Sequence, residues 1–317
     1  MTDTQNEVFK TPVNKIRLFE HGAPGSQNLK LTRKYYTEDM PDGRVKHIVQ
    51  NITDPDIVPY IPDGIGNSTD RQRIPAVLII PGGAFRRLVY NFEGEDVAKW
   101  LNSMGIAAFV LECRLPSDEH DNAEDVPLID AMRAMRVIRG RAQEFGIDEA
   151  KIGVMGFSAG GFMAALLSTA YESDVYADYK YKDEYDELSA RPDFAVCSYP
   201  VISIDDCIEA GKRYMSEEQV LKRISDSKAK ILHKYNPDKL VRLDMPPVFI
   251  CETDDDRTTL SENSVGFYMA ARKAGVSAEL HIFRTGGHGY GCGDDFAQTG
   301  EWKVLFTKWI KSIGIIS

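Results

Sequence analysis

Continuous apolar segments, separated by helix-like stretches, are the feature of this 317-residue sequence that most restricts its fold. The apolar segments are residues 76–80, 106–111, 152–155, 194–198 and 248–251, and a further strand is predicted at 279–283. Helices are predicted at residues 95–104, 127–145, 160–170, 261–274 and 296–313. A strand that is apolar on both faces must be covered on both faces. The alternation therefore predicts an α/β fold with a mostly parallel, doubly wound sheet and helices on both faces.

Two parts of the sequence depart from this alternation. Residues 1–70 are rich in turn-forming residues and contain two short extended pieces, 14–19 and 47–53, which we expect to be edge strands that precede the main sheet. The other part is the mostly polar region 171–245, in which we expect cap-like excursions. We therefore expect a single domain over residues 1–317, with an N-terminal strand and loop extension.

The charge of the chain restricts its partners. Acidic residues outnumber basic ones by 48 to 38, which gives a formal net charge of −10. Nucleic acids and anionic membranes attract clustered Lys and Arg, so we expect neither as a partner. No apolar run approaches the ~20 residues of a membrane span, and residues 1–10 do not resemble a signal peptide, so a cytoplasmic location is expected. A small-molecule or oligosaccharide substrate and a homo-oligomeric state stay open.

The segment Gly-Phe-Ser-Ala-Gly at residues 156–160 is the first candidate for chemistry. A Gly-x-Ser-x-Gly pattern also arises by chance. Here a predicted strand precedes it and a predicted helix follows, so Ser158 falls at the turn between them. Such a turn would raise the hydroxyl to the carboxyl edge of the sheet, where ligands bind in open α/β folds. Ser158 is therefore the candidate nucleophile, and an ordinary buried turn serine is the alternative.

A serine nucleophile needs a base to take its proton, and the base needs an orienting carboxylate. Of the six histidines, His288 lies in a Gly-Gly-His-Gly loop between a strand and the last helix, which suits a base at the sheet edge. Asp254, Asp255 and Asp256 follow the strand at 248–251. Any of the three would complete the chain order Ser, Asp, His. The residues alone leave the choice among the three open.

Amide donors for an oxyanion are expected in two places. Residues 81–85, Pro-Gly-Gly-Ala-Phe, directly follow the first strong strand, and their glycines let backbone N–H groups approach a substrate oxygen. The N–H of Ala159, just after Ser158, would join them. A simple strand-ending turn is the alternative for residues 81–85. The sequence has neither a phosphate-binding glycine pattern nor a His/Cys zinc cluster, so we expect no cofactor and no metal.

Short motifs along the chain carry a specific resemblance. They are Ile-Ile-Pro-Gly-Gly at 79–83, Glu-Gly-Glu at 93–95, Ala-Lys-Trp-Leu at 98–101, Arg-Leu-Pro at 114–116, Asp-Ala-Met-Arg-Ala at 130–134, Gly-Phe-Ser-Ala-Gly-Gly at 156–161, Arg-Pro-Asp-Phe at 191–194, Tyr-Pro at 199–200 and Gly-His-Gly at 287–289. From about residue 47 onward, the sequence resembles the α/β-hydrolase esterases known as acetyl-xylan or carbohydrate esterases, close to the hormone-sensitive-lipase-like branch. The resemblance implies the α/β-hydrolase fold.

Carried over position by position, the resemblance also implies roles for individual residues. Ser158 would be the nucleophile and His288 the base. The oxyanion donors would be Gly83, Ala84 and Ala159. The acid of the family precedes a Val-Pro pair, which is Thr-Leu at 259–260 in this chain, and the flanking residues favour Asp256 as the acid.

The resemblance implies a serine esterase that removes short acyl groups, above all acetyl, from sugars or xylo-oligosaccharides. The residues themselves support hydrolysis of an acyl bond. A general short-chain carboxylesterase with a non-sugar substrate stays open, as does a peptidase similar to the prolyl oligopeptidases. Those peptidases usually carry a propeller domain, for which residues 1–70 are too few. A non-catalytic binding protein of the same fold is a further alternative, and the presence of both Ser158 and His288 argues against it.

Overall fold

The computed structural model of the protein describes residues 9, 13–64, 73–213, 216–224, 227–293 and 298–317. Its strands are β1 (Ile16–Arg17), β2 (Lys34–Asp39), β3 (Val45–Gln50), β4 (Asp56–Tyr60), β5 (Ile74–Ile80), β6 (Leu88–Val89), β7 (Ala107–Glu112), β8 (Ile147–Phe157), β9 (Ala195–Ser198), β10 (Val248–Thr253) and β11 (Ala278–Phe283). Its helices are α1 (Asp96–Ser103), α2 (Val126–Gly140), α3 (Ala142–Phe145), α4 (Ala159–Ala170), α5 (Ile204–Lys212), α6 (Glu217–Ile224), α7 (Ser227–Lys234), α8 (Pro237–Leu240), α9 (Ser261–Lys273) and α10 (Trp302–Ser312).

The main sheet formed by the described residues has the strand order β1-β4-β7-β5-β8-β9-β10-β11. The strands from β7 to β11 in this order pair in parallel, whereas β1 and β4 are added antiparallel at one edge. Parallel strands require crossover connections, which helices supply here. The carboxyl ends of the parallel strands therefore share one edge of the sheet. The predicted α/β fold with a mostly parallel sheet is confirmed.

The central strands are buried on both faces. Every residue of β7 and β10 is buried, as is every residue of β5 after Ile74. Side chains alternate between the faces of a strand, so both faces must be covered by helices. Trp100 of α1 packs edge-on against Trp302 and Phe306 at α10, while α2, α4, α8 and α9 form a second connected group of helices.

The region before residue 74 is more regular than the sequence predicts. The extended piece 14–19 contains β1, which extends the main sheet through its pairing with β4. The piece 47–53 overlaps β3, but β3 is the centre of a separate antiparallel sheet in the order β2-β3-β6. We call this the small sheet. The strands β2 and β3 are half-exposed and lack a continuous apolar run, so the sequence pattern did not reveal β2.

Two predicted helices have different limits in the structure. The helix predicted at 127–145 is divided into α2 and α3, and it ends as predicted at Gly146, which has φ 67°. The helix predicted at 296–313 is represented by α10, which begins at Trp302, and residues 296 and 297 lie outside the described ranges. Across the described ranges, the structure contains no helix with the length and apolarity that a membrane span requires.

Candidate active site

Ser158 lies in the turn between β8 and α4, as the sequence predicts. Its backbone has φ 54° and ψ −117°, a conformation that L-residues rarely adopt. A Cβ atom at Gly156 would overlap the carbonyl oxygen of Gly160, and a Cβ atom at Gly160 would overlap that of Ile80. The close approach of strand and helix therefore requires both glycines, and the turn places the serine at the carboxyl end of β8.

His288 lies in the loop that follows β11, and its Nε2 atom is 2.8 Å from Ser158 Oγ. The neighbouring Gly287 fixes this loop. Its N–H donates to Asp255 at 2.8 Å, and its carbonyl oxygen accepts a hydrogen bond from the Thr253 hydroxyl at 2.9 Å. These contacts tie the loop to the end of β10, so two neighbouring strands determine where the imidazole stands.

Asp256 follows β10, and its Oδ2 atom is 2.6 Å from His288 Nδ1. Its other carboxylate oxygen accepts hydrogen bonds from the N–H groups of Thr258 and Thr259 at 2.7 and 3.0 Å. Burial acts to raise the pKa of Asp256, but the hydrogen bond and charge of His288 and the two N–H groups outweigh it and hold the pKa below its ordinary value. An ionised carboxylate only accepts, so Nδ1 carries a proton and Nε2 is left to accept one from Ser158.

The other two aspartates of the run face elsewhere. Asp255 is exposed and accepts from the N–H of Gly287, as described above. Asp254 is also exposed, and its backbone N–H donates to the carbonyl of Phe283. Of the three aspartates, the structure brings Asp256 to hydrogen-bonding distance of His288.

The loop of residues 81–85 passes directly beside Ser158. A Cβ atom at Gly82 would lie only 2.9 Å from Ser158 Cβ, so a side chain cannot be accommodated there without displacement. The N–H of Gly82 donates to Glu93 Oε2 at 2.8 Å. This hydrogen bond holds the loop against the serine but removes the Gly82 amide from any role in binding a ligand.

The amides of Gly83, Ala84 and Ala159 are placed differently. Gly83 has φ 139° and Ala84 has φ 59°, so the loop turns sharply at these residues. Over the described ranges, the N–H groups of Gly83 and Ala84 donate to no other group of the protein. Ala159 is the first residue of α4, where an N–H has no intrahelical acceptor. Within the described ranges, none of these three N–H groups is therefore occupied by another group of the protein.

Glu93 also belongs to the site, although the sequence pattern predicted no role for this residue. Its side chain is buried, with the residue 5% exposed. One carboxylate oxygen accepts from Gly82, and the other accepts from the hydroxyl of Tyr199 at 2.9 Å. The Tyr199 oxygen in turn accepts from the N–H of Gly291 at 3.0 Å, in the loop that carries His288. One buried acid thus links the two loops that flank the serine, and burial raises its pKa. Its sequence signal was slight, because Glu93 is one of three acids between residues 93 and 96.

A cavity of about 240 Å³ opens beside Ser158 and His288. Much of its wall comes from the small sheet and the segments next to it, including Arg44, Lys46 and Arg87. Cap-like excursions are predicted in the region 171–245. Among the described residues that line the cavity, Val201 comes from this region. The N-terminal extension therefore shapes this cavity more than the region 171–245 does, as far as the described residues show.

Known proteins with related sequences and structures place the chain in a family. Residues 65–270 match the family model described as BD-FAE. An acetylxylan esterase of Xylanibacter ruminicola is 31% identical over 240 residues, which are 75% of this chain and 45% of that protein. An acetyl ester-xyloside bifunctional hydrolase from Caldicellulosiruptor lactoaceticus is 35% identical, with a TM-score of 0.72 and coverage of 96% of this chain and 97% of that chain.

A more distant structure shares the fold. A carboxylesterase from Lactobacillus plantarum is 19% identical, with a TM-score of 0.67 and coverage of 90% of this chain and 99% of that chain. This chain spans less than half the length of the curated relatives it matches, 45% of the acetylxylan esterase and 34% of an endo-1,4-beta-xylanase B of Butyrivibrio fibrisolvens, which is 31% identical over 71% of this chain. The predicted resemblance to α/β-hydrolase esterases is confirmed. Because the family model matches more than half of its residues, the chain belongs to the BD-FAE family, and its fold is that of the α/β-hydrolases.

Proposed function

We propose that the protein is a serine esterase that removes short acyl groups, above all acetyl, from sugars or xylo-oligosaccharides. The observation that carries the proposal is the hydrogen-bonded series Ser158, His288 and Asp256 at the edge of a cavity. An acetylxylan esterase at 31% identity and an acetyl ester-xyloside hydrolase at 35% identity support the acetyl group and the xylose-based alcohol.

Acylation begins at the Ser158 hydroxyl, which lies 2.8 Å from His288 Nε2. The serine oxygen attacks the ester carbonyl carbon while Nε2 takes its proton. Asp256 stays ionised and stabilises the imidazolium that forms. When the tetrahedral intermediate collapses, the carbon–oxygen bond to the sugar breaks, and His288 gives its proton to the leaving alcohol.

The carbonyl oxygen of the substrate carries the negative charge of the intermediate. The amides of Gly83, Ala84 and Ala159 are available beside the serine to donate hydrogen bonds to it. Each such donor contributes about 3–4 kcal/mol to stabilisation of the transition state. The N-terminal end of α4 adds a favourable partial positive charge.

Deacylation repeats the chemistry with water in place of the serine. His288 takes a proton from water, the water oxygen attacks the acyl carbon, and the acyl–oxygen bond to Ser158 breaks. The serine oxygen recovers its proton from His288. One water is consumed for each ester, and the products are a carboxylic acid and the deacylated sugar.

The proposal is tested with a substrate panel scored by kcat/KM. The panel contains p-nitrophenyl esters of increasing acyl length, acetylated xylo-oligosaccharides, and prolyl p-nitroanilides. We expect acetyl esters to be the best substrates, longer acyl esters to be progressively worse, and Ser158→Ala to abolish turnover. Amide cleavage without ester cleavage would overturn the esterase proposal in favour of a peptidase. Acetylated sugars that are no better than p-nitrophenyl acetate would indicate a general short-chain carboxylesterase.

A further inference from the structure

One wall of the cavity beside Ser158 is positively charged. Arg44, Lys46 and Arg87 all line it, and we call these three residues the cationic wall. Lys46 lies on β3, and Arg44 lies in the segment just before this strand. Arg87 immediately precedes β6, which pairs with β3 on its other edge. The small sheet and the segments next to it therefore supply three cations to the cavity.

Hydrogen bonds fix the small sheet in this position. Asn91 accepts from the N–H of His47 at 2.9 Å and donates to the carbonyl of Val45 at 2.8 Å. The N–H of Tyr90 donates to the carbonyl of His47 at 2.8 Å. The strand β3, which carries Lys46, is thus anchored to the segment that contains Tyr90 and Asn91. The cationic wall is built into the fold at a defined place next to the serine.

The charge of the cationic wall is opposite in sign to the net charge of the chain. The whole chain has an excess of ten acidic residues, yet the described lining of the cavity holds three cations and a single acid, Glu93. The Glu93 carboxylate already accepts two hydrogen bonds from the protein, and burial raises its pKa. The charge of Lys46 acts to lower the pKa of Glu93, so these two groups interact, and the described lining still holds two more cations than acids.

Two of the cations have acidic partners outside the described lining of the cavity. Arg87 forms an ion pair with Glu38 across the small sheet, and Arg44 forms one with Asp42 in the exposed turn. Both pairs are partly open to solvent, where ion pairs contribute little free energy. The Lys46 ammonium makes no ion pair or hydrogen bond with another side chain over the ranges that the structure describes. Among the described residues that line the cavity, cationic side chains therefore outnumber acidic ones by three to one.

We propose that the cationic wall is a subsite for a carboxylate on the alcohol part of the ester, so that the substrate class is short-acyl esters of sugars that carry a uronic acid. This inference rests on the proposed esterase function. A two-carbon acyl group needs only a small part of the 240 Å³ available, which leaves the rest for the alcohol. The planar guanidinium groups of Arg44 and Arg87 match a carboxylate with two parallel hydrogen bonds, and Lys46 supplies a point charge.

The test compares three acetylated substrates of similar size: a neutral xylo-oligosaccharide, one that carries a uronic acid, and a sugar phosphate. We expect wild-type kcat/KM to favour the uronic acid substrate by about tenfold at low salt, because each exposed ion pair contributes a factor of a few. The preference should fall severalfold in 1 M NaCl, where charges are screened within about 3 Å. The ratio should approach one in the double variant Arg44→Gln, Lys46→Gln.

Lys311→Gln is the matched control, since Lys311 is exposed and does not line the cavity. This variant should keep the wild-type ratio. A thermal melt of each variant checks that it is folded. If the folded wild type hydrolyses neutral acetyl esters without preferring the uronic acid substrate, the subsite is refuted while the esterase function stands. A preference for the phosphate but not the carboxylate would refute the carboxylate assignment. If no ester is hydrolysed, the proposed function itself fails.

Discussion

Replacement of Glu93 by alanine should damage both stability and catalysis, because Glu93 connects the loops on either side of Ser158. The change leaves two buried donors without an acceptor, the N–H of Gly82 and the hydroxyl of Tyr199. Each unsatisfied buried donor costs about 1–3 kcal/mol, so the free energy of unfolding should fall by roughly 2–6 kcal/mol. Urea denaturation followed by fluorescence measures this loss.

The catalytic effect has a separate origin. Without Glu93, the loop that carries Gly83 and Ala84 is no longer held against the serine. Displacement of one oxyanion donor lowers kcat by roughly 10²–10³. We expect a loss of this size in kcat for p-nitrophenyl acetate, with a smaller change in KM, at a temperature where the variant remains folded.

Two further variants separate positioning from general destabilisation. Glu93→Gln keeps an acceptor for Gly82 and should recover part of the lost kcat. Glu95→Ala removes a neighbouring acid that pairs with Lys99 at the surface, and its activity should match wild type. Glu93 has no positioning role if folded Glu93→Ala retains kcat within threefold of wild type, or if Glu95→Ala loses as much activity as Glu93→Ala.

Three other predictions concern residues around the serine. Asp256→Asn should lower kcat by about 10⁴, because the carboxylate that orients the catalytic histidine is lost. Asp255→Asn should lower kcat less than tenfold. Equal losses in the two variants would mean that Asp256 is not the orienting acid. Gly160→Ala should destabilise the fold by about 1–3 kcal/mol or more in urea, because its Cβ overlaps the carbonyl oxygen of Ile80; an unchanged midpoint would contradict this. The pKa of Asp256 is lower in the folded protein than its ordinary value of 3.8. Ionised Asp256 therefore stabilises the fold above pH 3.8, and this stabilisation is lost as the pH falls through the pKa of the folded protein. Urea unfolding between pH 3 and 6 should therefore show the advantage of wild type over Asp256→Asn shrinking in acid, and a constant difference would disagree.

The parallel strands and the chain order of serine, aspartate and histidine could be predicted because each has a local signal. A strand buried on both faces is a continuous apolar run, and a strand-to-helix turn with two glycines marks the serine. Even for these strands, the predicted range was shorter than β8. The first half of β8 includes the exposed Glu149, and only residues 152–155 form the apolar run.

The small sheet and Glu93 have no comparable local signal. The strands β2 and β3 are half-exposed, and β3 pairs with β6, which lies about forty residues further along the chain. Glu93 acquires its role from hydrogen bonds to Gly82 and Tyr199, which come from distant segments. Such roles depend on tertiary structure, so a pattern within a short window cannot reveal them. The run of three aspartates shows the same limit, since only the fold decides which carboxylate reaches His288.

Ser158 is expected to be a nucleophile that His288 activates. Reaction with a fluorophosphonate probe, followed by intact mass measurement and peptide mapping, measures this reactivity. We predict a single covalent adduct on Ser158 in the wild type, no adduct in Ser158→Ala, and much slower labelling in His288→Ala. A folded wild-type protein that stays unlabelled, or that is labelled at another residue, would contradict the account.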